Sequence, residues 1–127
     1  MSAAMDPVEI NAGAWYLRAL RDDERVTDVP ALATLVDAAV LDGDGPAQAV
    51  ARAADGWRGG TRLSWAVCVP TTGEMVALVV LVPDEASGTA RLSTGTTPAD
   101  GAHDALAAGV AAVGRFADGA LGLRVVE

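Results

Sequence analysis

The chain has 127 residues, the length of one domain, and because half of them are apolar and a fifth are charged, a disordered tail is excluded. Nine arginines and no lysine stand against 17 acidic residues, and the net charge of −8 argues against nucleic acid and anionic membranes as partners. The longest apolar run, Met75 to Val82, is far shorter than the roughly 20 residues that a membrane-spanning helix needs.

The amino terminus, MSAAMDPVEI, has neither the basic segment nor the apolar stretch of a secretory signal. The single cysteine, Cys68, cannot form an internal disulfide, which suits a reducing compartment. We therefore expect a cytoplasmic protein. The many Ala, Gly, Val, Asp and Arg residues are typical of a high-GC genome, for instance that of an actinobacterium, and this observation concerns the source only.

The first part of the chain predicts a strand and then a helix. Trp15 to Leu20 favours a strand because aromatic residues begin it, and the charged stretch Arg21 to Arg25 follows as a loop. Asp28 is a suitable N-cap for a helix from Val29 to about Leu41, since Pro30 is tolerated in the first turn.

A second helix is predicted to begin at Pro46 and to end at Gly59-Gly60. Its apolar residues recur at helical spacing, which predicts one buried stripe. The residues of that stripe are Ala47, Val50, Ala51, Ala54 and Trp57.

The middle of the chain predicts an antiparallel sheet. Leu63 to Val69 and Glu74 to Val82 flank the turn Pro70-Thr71-Thr72-Gly73, which is the pattern of a hairpin. Met75 to Val82 is apolar on both faces, so we expect a central strand that is covered on both sides. Thr89 to Thr96 is predicted to return as a third antiparallel strand.

The last part predicts a helix over Ala102 to Ala117, stopped by Gly119, and a final strand over Leu121 to Val126. The residues expected on the buried side of this helix are Leu106, Val110, Val113 and Phe116. The order β-α-α-β-β-β-α-β predicts one α/β domain over residues 1–127, in which residues 1–13 are a loose segment. The final helix should join two parallel strands of a mixed, mostly antiparallel sheet of five strands.

This order and several stretches resemble the amino-terminal two-thirds of the GNAT family of N-acetyltransferases, especially actinobacterial relatives of ribosomal-protein alanine acetyltransferases. The matching stretches are WYLRALRDDERVTDVPAL, WAVCVPTTGEMVALVVL and RFADGALGLRVVE. In such proteins the first strand is often an L-R-x-L segment, a T-G-E turn joins the next two strands, and the last stretch reads L-G-L-x-R-V-E. The resemblance implies a GNAT-like fold that lacks the usual C-terminal helix and strands.

In the family, the strand that ends before Pro98 and the helix after it form the acetyl-CoA site. A loop of the form Q/R-x-x-G-x-G/A places backbone N–H groups against the pyrophosphate. Here the loop reads ADGAHDAL, with Ala102 and Asp104 at the small positions and Gly101 and His103 where basic residues are common. The cofactor positions implied by the resemblance are Thr96, Gly101, Ala102, His103, Asp104 and Ala105.

This loop is unfavourable for a polyanionic cofactor. Asp104 would place a carboxylate in the first helical turn, where it complements the helix dipole that the pyrophosphate would otherwise use, and Asp100 adds a second negative charge. Each close pair of like charges costs about 1 kcal/mol even in bulk water. We interpret both residues as helix caps and expect no cofactor, or acetyl-CoA if the protein is an enzyme.

Two further departures leave the catalytic residues unknown. The strand ARLSTGTTP carries Arg91, Thr94 and Gly95 where acidic and aromatic residues are common in this branch. The family's N-x-x-S/A segment and its late tyrosine, which can act as a general acid, would lie beyond Glu127.

The other candidate groups have structural interpretations. His103 could be a general base or a metal ligand, but without a second His or Cys we expect an exposed residue at a helix start and no metal. Cys68 should be a buried thiol that shares a strand face with Ser64 and Ala66. The run Asp22-Asp23-Glu24 should be solvated surface. The three tryptophans should form core, although a pocket is the alternative.

Two functions from different classes fit these observations. The first is a non-catalytic GNAT-like protein that binds a protein or a small ligand. The alternative is an acetyl-CoA-dependent N-acetyltransferase with an atypical loop, completed by a partner chain.

The last strand should form an apolar edge, and we expect a homodimer or a partner protein to cover it unless residues 1–13 fold over it. The apolar residues of that edge are Leu121, Leu123, Val125 and Val126.

Overall fold

A computed structural model describes residues 5–36, 38–41 and 43–126. Six strands, three α-helices and one 3₁₀ helix make up this part of the chain. In chain order they are β1 (Ile10–Ala12), β2 (Trp15–Arg18), α1 (Val29–Ala33), the 3₁₀ helix (Ala38–Leu41), α2 (Pro46–Gly59), β3 (Leu63–Cys68), β4 (Met75–Asp84), β5 (Thr89–Thr96), α3 (Ala102–Leu121) and β6 (Arg124–Val126). None of these helices is long and apolar enough to cross a membrane.

The six strands form one sheet in which the spatial order is the chain order, β1 to β6. The first four pairings are antiparallel, and β5 and β6 are parallel, joined by α3. The predicted hairpin of β3 and β4, the antiparallel return of β5 and the parallel final pair are therefore confirmed.

The sheet lies between two helical layers. Leu63, Trp65 and Val67 of β3 face α3, whereas Ala66 and Cys68 face α1, the 3₁₀ helix and α2. Strand β4 is buried on both faces from Met75 to Leu81, because it lies inside the sheet under both layers. The predicted central strand and the predicted faces of β3 are confirmed.

Small residues bring α3 close to the sheet. A Cβ atom at Gly109 would lie 2.8 Å from Cγ2 of Val67, so the helix approaches at a distance that only glycine permits. Leu106, Val110 and Phe116, which were expected on the buried side, are only half-buried. The fully buried residues are Ala102, Ala105, Gly109, Ala112, Val113 and Ala117. The helix also continues past Gly119 to Leu121.

The predicted helix from Val29 to Leu41 is interrupted. Helix α1 ends at Ala33, and the 3₁₀ helix begins only at Ala38. Between them the backbone N–H of Val36 donates to the carbonyl oxygen of Thr96 on β5 at 2.8 Å. Asp28 does not cap the helix with its side chain, because its carboxylate is bonded to Arg18 and to the backbone of Arg21.

The predicted stripe of α2 is also corrected. Ala47, Ala51 and Ala54 are exposed, and Val50 is half-buried. The residues that this helix buries are Ala49, Ala53, Gly56 and Trp57. In an alanine-rich helix, hydrophobicity distinguishes the faces poorly, so the position of Trp57 and the close approach of small residues decide the orientation.

Both ends of the described chain differ from the expectation. Of the segment expected to be loose, residues 1–4 lie outside the described residues, and the rest contains β1, which pairs with β2. The sheet therefore has six strands where five were predicted. Val8 accepts a hydrogen bond from Nε1 of Trp65 at 2.8 Å. The last strand begins at Arg124, since Leu121 belongs to α3 and Leu123 is buried in the core. The apolar edge is therefore much shorter than the sequence suggested.

Candidate functional site

A groove of about 410 Å³ lies where α1, the β3–β4 turn and the segment before α3 meet. We call it the loop groove. It borders the end of β5, next to the loop that the GNAT resemblance assigns to the cofactor. The residues that line it are Thr27, Asp28, Pro30, Ala31, Thr34, Gly73, Glu74, Met75, Thr97, Pro98 and Ala99.

Asp28, one partner of a buried ion pair, lines the loop groove. Arg18 donates from Nη1 and Nη2 to the two carboxylate oxygens of Asp28, at 2.8 and 2.9 Å. Arg18 also donates to the carbonyl oxygen of Gly73, and the backbone N–H of Arg21 donates to Asp28. The hydrogen bond to Asp28 raises the pKa of Arg18. Because its oxygens already accept three hydrogen bonds, the Asp28 carboxylate is a poor general base.

The start of α3 is built around a glycine. Gly101 occupies the N-cap position with φ +81°, a left-handed conformation that side chains other than glycine rarely adopt. A Cβ atom at this position would lie 3.4 Å from Cη2 of Trp15, so the indole covers the outside of the loop. The backbone N–H of Ala102 donates to Ala99 within the loop, and no side chain caps the helix. The interpretation of Asp100 and Asp104 as caps is therefore wrong, because the N-cap position belongs to Gly101, which has no side chain.

The residues that the resemblance implied for the cofactor lie together at one end of the sheet. Thr96 closes β5, and Gly101 to Ala105 form the cap and first turn of α3. Ala102 and Ala105 are buried in the core, whereas His103 and Asp104 are exposed. A ligand at this helix start would therefore meet an imidazole and a carboxylate, together with backbone groups.

The electrostatic character of this loop is negative. Asp100 and Asp104 are both exposed, and no arginine occurs between Thr97 and Ala105. The carbonyl oxygen of Thr96 already accepts the hydrogen bond from Val36. The loop thus offers a phosphate group the backbone N–H groups of the first turn of α3, but two carboxylates and no arginine.

The edge of β5 beyond β6 pairs with no other strand among the described residues. Pairing with β6 covers only Thr89 to Arg91 of this strand. Because N–H and C=O groups alternate between the two edges of a strand, Leu92 and Thr94 point to the same edge as Thr96. In the described part of the chain this edge is covered by β6 at one end and by Val36 at the other.

The remaining candidate groups have structural roles, or they lack neighbouring groups among the described residues with which they could catalyse a reaction. Burial raises the pKa of the Cys68 thiol to about 11. Asp23 accepts hydrogen bonds from the Arg21 side chain and from the backbone of Arg25 and Val26, which lowers its pKa to about 2. Among the residues that the structure describes, no three His, Cys, Asp or Glu side chains are grouped as metal ligands would be.

Two of the tryptophans belong to the core. The rings of Trp57 and Trp65 are T-shaped with centroids 5.0 Å apart, and Trp65 makes a similar contact with Phe116. Trp15 is the exception, because it is half-buried and lies against Gly101. Neither this contact nor the Arg18–Asp28 pair is predicted by the sequence patterns. An arginine within the otherwise apolar stretch WYLRAL was the available signal for a buried counter-ion.

Comparisons with known proteins agree with the architecture. No family model matches the sequence, and no curated protein matches it. A solved structure from Vibrio cholerae, described as a proposed ribosomal-protein-serine acetyltransferase, superposes with a TM-score of 0.71 at 13% identity, over 91% of this chain and 70% of that one. A second, described as a proposed acetyltransferase, gives 0.61 at 16% identity, over 91% of this chain and 60% of that one. The chain therefore has a GNAT-like fold.

Proposed function

We propose that this GNAT-fold protein acts by binding a protein or a small ligand and does not use acetyl-CoA. The observation that carries this proposal is the pair of exposed carboxylates, Asp100 and Asp104, at the start of α3. A pyrophosphate in this place would approach both, and no arginine of the loop would offset the repulsion.

The contacts around the loop support the same proposal. Trp15 lies against Gly101, and Val36 uses the carbonyl oxygen of Thr96. A cofactor bound in an extended conformation along this edge of β5 would have to displace the hydrogen bond from Val36 to Thr96 or bind elsewhere along the edge. Neither Asp28, which already accepts three hydrogen bonds, nor the exposed His103 is placed as a general base beside a buried reaction centre.

Calorimetric titration with acetyl-CoA at moderate salt tests the proposal. We expect no binding in the low-micromolar range for the wild type. Asp104→Asn should increase any residual affinity, because it removes a negative charge from the first turn of α3. Asp118→Asn is the matched control, since it removes an exposed carboxylate near the other end of the same helix. Low-micromolar binding to the wild type would contradict the proposal.

The second candidate is an acetyl-CoA-dependent N-acetyltransferase whose atypical loop is completed by a partner chain. The likeness to two solved structures described as proposed acetyltransferases favours it. Under this alternative, acetyl-CoA raises the unfolding temperature in a concentration-dependent manner, as any ligand of the native state must. A thermal scan with increasing acetyl-CoA therefore separates the two functions.

A further inference from the structure

A second cleft, of about 450 Å³, lies on the sheet face that carries α1, the 3₁₀ helix and α2, away from the start of α3. We call it the arginine cleft because Arg62 and Arg91 both line it. The residues that line it are Ala39, Val40, Arg62, Val82, Pro83, Asp84, Thr89, Arg91, Ser93 and Val126. Its volume lies within the range of about 300–1,000 Å³ that is usual for small-molecule sites.

Arg91 is the principal charged group of the arginine cleft. It lies opposite Val82 on β5, its side chain is exposed, and it makes no ion pair or side-chain hydrogen bond within the described residues. By comparison, Arg18, Arg21, Arg52 and Arg58 all form ion pairs. An unpaired guanidinium at the wall of a cleft presents five donors in a planar fork to an incoming anion.

Two further groups converge on the same space. Ser93 lies two residues after Arg91 on β5, so both side chains project from the same face, and Ser93 is half-buried. Arg62 donates from Nη2 to the carbonyl oxygen of Val40 at 2.9 Å, which fixes its guanidinium beside the 3₁₀ helix. The cleft therefore combines an anchored arginine, an arginine without an ion pair among the described residues, and the hydroxyl group of Ser93.

The described lining of the arginine cleft is richer in basic groups than the protein as a whole. Among the residues that the structure describes, the lining has two guanidinium groups and one carboxylate, Asp84, in a chain of net charge −8. The Asp84 carboxylate accepts a long hydrogen bond, 3.4 Å, from the backbone N–H of Ser87 in the β4–β5 turn. An anionic group beside Arg91 would gain charge-assisted hydrogen bonds there.

We propose that the arginine cleft binds a small molecule with a carboxylate or phosphate group, held by Arg91 and Ser93 with Arg62 at the opposite wall. This inference rests on the ligand-binding function proposed above and names the class of its ligand. The arginine cleft lies on the face of the sheet opposite to α3, so a ligand bound there requires no contact with the loop at Gly101.

The test is an NMR titration of the ¹⁵N-labelled protein with inorganic phosphate and, separately, with succinate, at constant ionic strength. We expect saturable shifts at the backbone amides of Arg91 and Ser93. Arg91→Gln should weaken binding about tenfold or more, and Ser93→Ala about fivefold, the sizes expected for a charge-assisted and a neutral hydrogen bond. Arg115→Gln, at an exposed position of α3 on the opposite face, is the matched control and should leave the affinity unchanged.

Saturation by phosphate alone or by succinate alone supports the proposal and identifies the anion. The absence of saturable shifts near Arg91, or equal weakening by Arg91→Gln and Arg115→Gln, would overturn it, because the binding would then be absent or non-specific. Titration with acetyl-CoA distinguishes the two proposals. Tight binding with shifts at Gly101 to Ala105 contradicts the proposed function and leaves the arginine cleft intact, provided that phosphate or succinate still saturates it.

Discussion

Arg18 and Asp28 form a bidentate ion pair in which both side chains are almost completely buried, with 7% and 2% of their surfaces exposed. The pair joins β2 to the residue before α1, and the bond from Arg18 to Gly73 extends the link to the β3–β4 turn. Three segments that are distant in sequence are thus held together at the loop groove. A buried ion pair is costly to break on one side only, because the remaining charge is left buried without its partner.

We expect Asp28→Ala to lower the free energy of unfolding by about 3–5 kcal/mol, because it leaves the guanidinium of Arg18 buried and unpaired. Urea unfolding measures this change. Asp55→Ala is the control, since it breaks the exposed Asp55–Arg58 pair and should change stability by at most about 1 kcal/mol. Equal effects of the two substitutions would show that the Arg18–Asp28 pair is accessible to water.

The close packing of α3 gives a second prediction. In Gly109→Ala, the new methyl group would lie 2.8 Å from Cγ2 of Val67 and 3.3 Å from Cγ2 of Val79, so we expect a loss of about 1–3 kcal/mol from overpacking. Gly114→Ala, in the same helix, places its methyl group in open space and should stabilise the protein by about 0.5–1 kcal/mol. Thermal unfolding of the two variants should show shifts of opposite sign. Stabilisation by both would mean that α3 lies further from the sheet.

The buried thiol gives a third prediction. Cys68 should react with a thiol reagent in the native protein much more slowly than in urea, because burial disfavours the thiolate. Labelling of the native protein at the rate of the unfolded chain would contradict this burial.

A fourth prediction concerns the pH dependence of stability. Burial raises the pKa of Cys68 from 9.0 to about 11, so in this interval the unfolded chain has lost the thiol proton and the folded chain retains it. The free energy of unfolding should therefore fall as the pH rises from 9.0 through about 11. Cys68→Ala should have a shallower slope over the same range, and parallel slopes for the two proteins would show that the thiol is not the cause.

The last prediction concerns assembly at β6. Arg124 donates its backbone N–H to Gly88 beside β5, so the alternation of the strand directs the backbone groups of Val125 to the outer edge. No other strand of the described residues pairs there. We expect a second copy or a partner chain to cover this edge, and a sedimentation series at micromolar concentrations should show a dimer. A monomer whose Val125 amide exchanges slowly would mean that the chain protects its own edge.

Much of the sheet could be predicted from the sequence, because its signals are local. The turn residues after Val69 and the continuous apolar stretch Met75 to Val82 predict the hairpin and the central strand correctly. The break after α1 could not be predicted in this way. The N–H of Val36 bonds to Thr96, which is 60 residues away in sequence, and periodicity contains no information about such a partner.

The candidate site could be predicted in part, because some of its signals are also local in sequence. The acidic composition of the loop from Pro98 to Ala105 is visible in the sequence, and the structure finds Asp100 and Asp104 exposed. The contact of Trp15 with Gly101, and the grouping of Arg62 with Arg91, depend on strand order and helix placement. Both sets of residues are brought together by the tertiary fold, so local sequence patterns do not reveal them.

The single parallel pairing of the sheet has a consequence for how the protein folds. Strands β3, β4 and β5 are neighbours both along the chain and in space, so their contacts close short loops and can form early. Strand β6 can reach β5 only after α3 has crossed the sheet, and just three residues of each strand then pair. The β5–β6 contact is therefore expected to be the last to form, and its amide protons should be among the first of the sheet to exchange when the native protein opens locally.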